Sequence, residues 1–134
     1  NPSSKIASFG AFGSGEASNI SWLISPGIDT DAQGLEVVTY ETSNSFSDAS
    51  ELQVLISTDW DGTAGNVLSA TWEDVTGCAG IVSDSEFYQN WVPGSLSLAG
   101  YSGTAYVAFR YVGGDANSNL NGTYELDNFN VLVE

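Results

Sequence analysis

The chain consists of short runs in which apolar and polar residues alternate, separated by clusters of Gly, Asn, Asp and Ser. A period of two is typical of half-buried β-strands, and no segment carries the helical period over a convincing length. Eight such runs in 134 residues predict an all-β fold, a jelly-roll β-sandwich of two packed antiparallel sheets. The predicted strands are Lys5–Phe9, Ile20–Ile24, Leu35–Tyr40, Glu51–Ser57, Ala70–Val75, Ser95–Leu98, Ala105–Val112 and Tyr124–Val133.

The parity of the side chains predicts which strand faces meet in the core. In two of the long runs, large apolar residues occupy every second position: Leu52, Val54 and Ile56 in one, and Val107, Phe109 and Tyr111 in the other. No linker or internal repeat interrupts the pattern, so residues 1–134 are predicted to form a single domain. Because Asn1 is not an initiator methionine, we expect this domain to be a processed module of a larger secreted protein.

The charge balance excludes several classes of function. Seventeen acids against two bases give a net charge of −15, which argues against a nucleic-acid surface. The absence of His excludes a Ser-His-Asp triad, and Cys78 has no second cysteine for an intrachain disulfide. No apolar run approaches the roughly 18 residues needed for membrane insertion. So acidic a chain suits a salty or calcium-containing medium, which predicts an extracellular or cell-surface location.

Asp127 is the first candidate metal ligand. It shares strand parity with Phe129, Val131 and Val133 and is therefore predicted to point toward the core. A buried carboxylate requires a metal or an ionic partner. Structural calcium is one interpretation, and an ion pair with Arg110 is the alternative.

Asp59 and Asp61 are the other candidate calcium ligands, in the sequence Asp59-Trp60-Asp61-Gly62. Two carboxylates before a glycine match the first half of a calcium loop, but the twelfth loop position holds Ala70 instead of Glu. The same pattern also forms an ordinary turn. Both interpretations stay open.

Six of the aromatic residues fall into two groups. Trp22 and Trp72 lie in apolar strands, which predicts core packing. The others lie in polar, loop-like stretches where an exposed ring can stack on a sugar, and they are the candidate ligand-binding residues: Phe46, Trp60, Tyr88 and Trp91. A glycoside-active enzyme would need two close acids in one cleft, and no pair among the acids is singled out.

Several of these stretches together resemble the bacterial cleaved-adhesin or choice-of-anchor J domains, related in shape to MAM and galactose-binding-like domains. The similar segments occur in family order and are Trp22–Asp29, Leu52–Gly62, Ala70–Val75, Tyr106–Tyr111 and Glu125–Val131. The resemblance implies a non-catalytic jelly-roll module of a secreted Bacteroidota protein, commonly with structural calcium. It also implies roles in adhesion or polysaccharide binding, with Trp22, Trp72 and Asp127 as framework positions.

The expected function is therefore an extracellular carbohydrate-binding or adhesion module, with a polysaccharide or cell-surface glycan as partner. The alternative is a structural or adhesive subunit that contacts a neighbouring domain or chain. The family's opening strand is absent before Ser8–Gly15, which predicts a sheet edge without its strand. Ile6 and Phe9, three residues apart, cannot face the same side, so we expect another chain or segment to add a strand at this edge. The alternatives are that Asn1–Phe9 folds back into the position or that the strand belongs to a removed part of the parent protein.

Overall fold

The regular structure of the chain is mostly extended. The computed structural model describes residues 5–32, 35–46, 48–81, 90–117 and 119–133. Within these ranges, one 3-10 helix, Ala64–Ser69, and one α-helical turn, α1 (Thr76–Ala79), accompany nine strands. The strands are β1 (Ala7–Gly10), β2 (Asn19–Ile24), β3 (Ile28–Asp29), β4 (Glu36–Asn44), β5 (Glu51–Ser57), β6 (Glu73–Asp74), β7 (Val92–Ser97), β8 (Thr104–Gly113) and β9 (Thr123–Val133).

The strands form two antiparallel sheets that pack face to face. One sheet has the order β1-β9-β4-β7, and the other has the order β2-β8-β5-β6, with β3 pairing with β8. Two antiparallel sheets with these strand orders, packed face to face, form a jelly roll. The predicted fold is therefore confirmed. Within the described part of the chain, no helix is long and apolar enough to cross a membrane.

The core lies between the sheets, where the predicted parity places it. Both of the predicted apolar faces, on β5 and on β8, are buried. They meet Val38 and Tyr40 of β4 and Leu126 of β9 in one cluster. The rings of Tyr40 and Phe109 make an edge contact with their centroids 5.0 Å apart, which ties the two sheets together at the centre.

The first sheet has an edge strand from this chain. β1 pairs with β9 from Ala7↔Leu126 to Gly10↔Thr123, which gives that sheet four strands. Phe9 enters the core and Ile6 stays exposed, as their spacing predicts. β1 is the end strand of this sheet, and no described segment pairs with its outer edge, so strand addition from another chain or segment stays a prediction.

The predicted strand Ala70–Val75 is shorter in the structure, where only Glu73–Asp74 pair with β5. The preceding residues bond locally: the Thr71 N–H donates to Asp59 Oδ1 at 2.8 Å, and the indole N–H of Trp72 donates to the carbonyl of Val67 at 2.8 Å. Side-chain and backbone groups of residues 58–72 therefore satisfy one another, and a long strand pairing is not needed.

A β-bulge in β9 overturns the predicted orientation of Asp127. Glu41 of β4 pairs with Asp127, and the next registered pair is Thr39 with Asn130. Between these two pairs β9 advances by three residues and β4 by two, so β9 contains one extra residue. Asn128, within this interval, adopts a φ of 54°. The extra residue reverses the parity: Leu126 faces the core before the bulge and Phe129 after it. Asp127 is only half-buried. The prediction that it points into the core is wrong, because strand parity cannot be carried across a bulge.

Candidate functional site

The outer face of the second sheet carries an unexpected aromatic layer. On β8, Tyr106, Ala108 and Arg110 alternate with the core residues and so point away from the core. Ala108 is nevertheless fully buried, as is Leu55 beside it on β5. Another layer of residues must therefore cover this outer face.

The cover is the connection between β5 and β6, residues 58–72, which folds back over the sheet. It places Trp60 edge-on against Tyr106, with ring centroids 4.6 Å apart. Trp72 lies 6.0 Å from Trp60 and 5.3 Å from Trp22 of β2, measured between ring centroids. Three tryptophans and one tyrosine thus form a continuous cluster outside the main core.

Hydrogen bonds fix the rings of this cluster. The indole N–H of Trp60 donates to the carbonyl of Thr63 at 2.9 Å, and that of Trp72 donates to Val67. The guanidinium of Arg110 lies 5.1 Å from the centroid of Trp22, and its Nε donates to Gln53 Oε1 at 2.7 Å. Since these contacts hold the rings before any ligand arrives, ordering them on binding costs little. Arg110 is thus engaged on this outer face, whereas Asp127, its predicted alternative partner, belongs to the other sheet.

A groove opens between β2 and the 3-10 helix. It has a volume of about 530 Å³, within the range of small-molecule sites. None of the described residues that line it is charged, and Leu68 at its rim is 85 % exposed. We call it the tryptophan groove, and its lining residues are Ile20, Trp22, Ile24, Trp60, Ala64, Val67 and Leu68.

Two carboxylates hold the segment that forms one wall of the groove. Hydrogen bonds from the Thr71 backbone and the Ser57 hydroxyl hold the pKa of Asp59 below its usual value. Those from the Thr63 backbone and the Asn66 amide do the same for the pKa of Asp61. These contacts favour the interpretation of the Asp-x-Asp-Gly pattern as a turn.

The lowered pKa values predict that acid loosens this wall. The pKa of each carboxyl group is lower in the folded chain than in the unfolded chain, where it is about 3.9. The carboxylate therefore stabilises the fold above about pH 3.9, and this stabilisation is lost as the pH falls through the folded pKa. Below about pH 4 we therefore expect the indole N–H resonance of Trp60 to shift toward a solvent-exposed value. The change Asp61→Asn should flatten this pH profile.

The matched control for this prediction is Asp115→Asn. The pKa of Asp115 is also lowered, mainly by the Gly15 backbone N–H, but this residue lies in the β8–β9 connection at the other end of the sandwich. Its replacement should leave the Trp60 profile unchanged. An identical Trp60 profile in the wild type and in Asp61→Asn would contradict the role given to Asp61.

The three predicted ligand-binding aromatics that the structure describes do not come together in the groove. Trp60 lies in the groove after the end of β5, whereas Phe46 follows β4 and Trp91 precedes β7 at the opposite end of the sandwich. Tyr88 lies outside the described residues. Trp22 and Trp72 are half-buried on the outer face rather than in the main core. The prediction of core packing for these two tryptophans is therefore corrected to packing in a second layer.

The predicted calcium ligands do not converge either. Asp59 and Asp61 belong to the connection after β5, while Asp127 lies in β9 of the other sheet. Among the residues that the structure describes, no group of three or more acidic, His or Cys side chains could hold a metal ion. These positions do not form one calcium site, and calcium stays a prediction from the sequence.

Most of the residues that line the tryptophan groove were not predicted from the sequence. Ile20 and Ile24 flank Trp22 at alternate positions of β2, a signal that one face of this strand is apolar. Tyr106 and Leu68 carried no such signal, because only the folding of residues 58–72 over the sheet brings them to the cluster.

Comparison with known families adds one match. A family model described as a domain of unknown function (DUF5017) matches residues 14–133. No curated protein matches the chain.

Proposed function

Since the chain belongs to the DUF5017 family, a domain of unknown function, we propose from its geometry that it is a non-catalytic module that binds neutral sugar rings in the tryptophan groove. The observation that supports this is a preformed apolar groove with fixed aromatic rings on a strongly acidic protein. The apolar C–H face of a sugar ring loses water when it packs on such rings. Asp61 and Asn66, both exposed, belong to the same segment as the lining residues Trp60, Ala64 and Val67 and are candidate hydroxyl-binding groups.

The charge of the protein restricts the class of glycan. With a net charge of −15, the protein repels acidic polysaccharides, so the proposed ligand is neutral or cationic. A cell surface or extracellular matrix offers such polymers, which agrees with the location expected from the acidic composition. Adhesion to a surface glycan is the biological role that this proposal supports.

Binding to a neutral polysaccharide tests the proposal. A glycan array should select neutral or amino sugars, and titration followed by tryptophan fluorescence should give a Kd in the micromolar to millimolar range. The change Leu68→Ser removes an exposed apolar group from the rim without touching the core, and it should weaken binding about fivefold. Trp60→Ala should weaken binding further, because it removes an aromatic ring on which the sugar would pack.

The control is Leu132→Ser, at a half-exposed leucine of β9 in the other sheet. It introduces the same chemical change far from the groove and should leave the affinity unchanged. Equal affinities for the wild type and Leu68→Ser, or binding confined to acidic polymers, would overturn the assignment of sugar binding to this groove.

A further inference from the structure

The four edges of the two sheets are protected to different degrees. β1 has only four residues, β7 contains Pro93, and β6 consists of Glu73 and Asp74 alone. Short length, proline and charge are the features by which sheet edges avoid pairing with other chains. β2 has none of them: it has six residues with the sequence Asn-Ile-Ser-Trp-Leu-Ile.

Hydrogen-bond parity shows which backbone groups of β2 lie at its outer edge. The N–H of Ser25 donates to the carbonyl of Val107 at 2.8 Å, directly after the pairing of β2 with β8. Bonded and non-bonded pairs alternate in an antiparallel ladder, so the odd-numbered residues of β2 bond to β8. The N–H and C=O groups of Ile20, Trp22 and Ile24 therefore point away from the sheet.

These groups have no partner in the part of the chain that the structure describes. No hydrogen bond joins the backbone of Ile20, Trp22 or Ile24 to a further segment. The side chains beside this edge are also open: Ile20 is 57 % exposed and Leu23 is 42 % exposed. The edge thus combines unpaired backbone groups with apolar surface on both faces.

We propose that β2 accepts an extended, uncharged or cationic peptide strand of another protein. The strand would pair with Ile20, Trp22 and Ile24 and cover the neighbouring apolar side chains, as in β-augmentation. This interaction uses the backbone edge of β2 and not the ring faces of the groove, so it does not rest on the proposed sugar binding.

Charge identifies the kind of strand. Glu16 precedes β2, and Asp115 of the β8–β9 connection lies beside it, because the Asp115 N–H donates to the Glu16 carbonyl. Asp29 and Asp31 follow the strand. A second copy of this chain would bring the same acids and another net charge of −15 to the edge. A foreign strand with Lys or Arg at its ends meets these acids favourably.

The first test is amide hydrogen exchange of the protein alone. The N–H groups of Ser21 and Leu23 should exchange slowly, because they donate to β8, while those of Ile20, Trp22 and Ile24 should exchange fast. Slow exchange at all of these positions in the monomer would mean that the edge is already covered, and it would overturn the proposal.

The second test adds a strand. The probe is a synthetic peptide of alternating valine and threonine with a lysine at each end, and its matched control is the same peptide N-methylated at every second residue. The unmodified peptide should protect the amides of Ile20, Trp22 and Ile24, and the methylated peptide should not. Equal protection by both peptides, or dimerisation of the protein through β2 without peptide, would contradict a foreign strand.

One variant of the β2 edge and one of the groove test the pairing; because Ile20 also lines the tryptophan groove, its replacement is judged by peptide binding alone. Ile20→Pro removes one outward N–H at a position where an edge strand tolerates proline, and it should weaken peptide binding about fivefold or more. Leu68→Ser should weaken glycan binding and leave the backbone pairing of the peptide intact. Unchanged peptide binding in Ile20→Pro would overturn the proposed pairing whatever the result for glycans.

Discussion

Replacing Phe109 by alanine should lower the free energy of unfolding by about 3–5 kcal/mol. The ring is 2 % exposed and lies at the centre of the core. Its edge contacts reach Tyr40 of the other sheet at 5.0 Å and Phe129 at 6.1 Å between centroids. Loss of this ring leaves a cavity between the two sheets and removes aromatic contacts that join them.

Urea unfolding followed by near-ultraviolet circular dichroism measures this loss. The control is Phe12→Ala, since Phe12 is 83 % exposed in the β1–β2 connection. That variant should stay within about 0.5 kcal/mol of the wild type. A cost below 1 kcal/mol for Phe109→Ala would mean that the two sheets do not pack through this ring as described.

The change Gly94→Ala should cost about 3 kcal/mol, at the upper end of what overpacking a core costs. Gly94 pairs with Tyr40 across β7 and β4, and an added Cβ would lie 2.3 Å from the atoms of the tyrosine ring. The ring cannot move aside freely, because it is buried and its hydroxyl donates to the Gly80 carbonyl at 2.5 Å. Thermal unfolding should show a lowered Tm.

Two further variants isolate the clash. Gly65→Ala is the matched control, because an added Cβ in the 3-10 helix meets no atom within 4 Å. It should be neutral or slightly stabilising. In a Tyr40→Ala background, Gly94→Ala should cost little, since the ring that it would strike is gone. Additive losses in the double variant would show that the tyrosine ring is not the cause.

The predicted strands correspond to eight of the nine strands in the described part of the chain, and β5 has the predicted bounds. This succeeded because burial of one strand face imposes a period of two on the residues themselves. The site was harder to predict. Trp60, predicted from its polar surroundings, lies in the tryptophan groove, but Phe46 and Trp91 belong to the opposite end of the sandwich. A local pattern indicates that a ring is near a loop but does not show which loops meet.

The sequence by itself determined the all-β class, the two core faces and the acidic surface, since each follows from the order and chemistry of neighbouring residues. Only the tertiary structure decided the rest. It placed Asp127 off the core because the bulge at Asn128 shifts the parity of β9. It placed Trp22 in an outer layer because residues 58–72 fold over the second sheet. It left β2 at an edge because sheet order depends on which distant strands pair, and alternation within one strand carries no information about its neighbours.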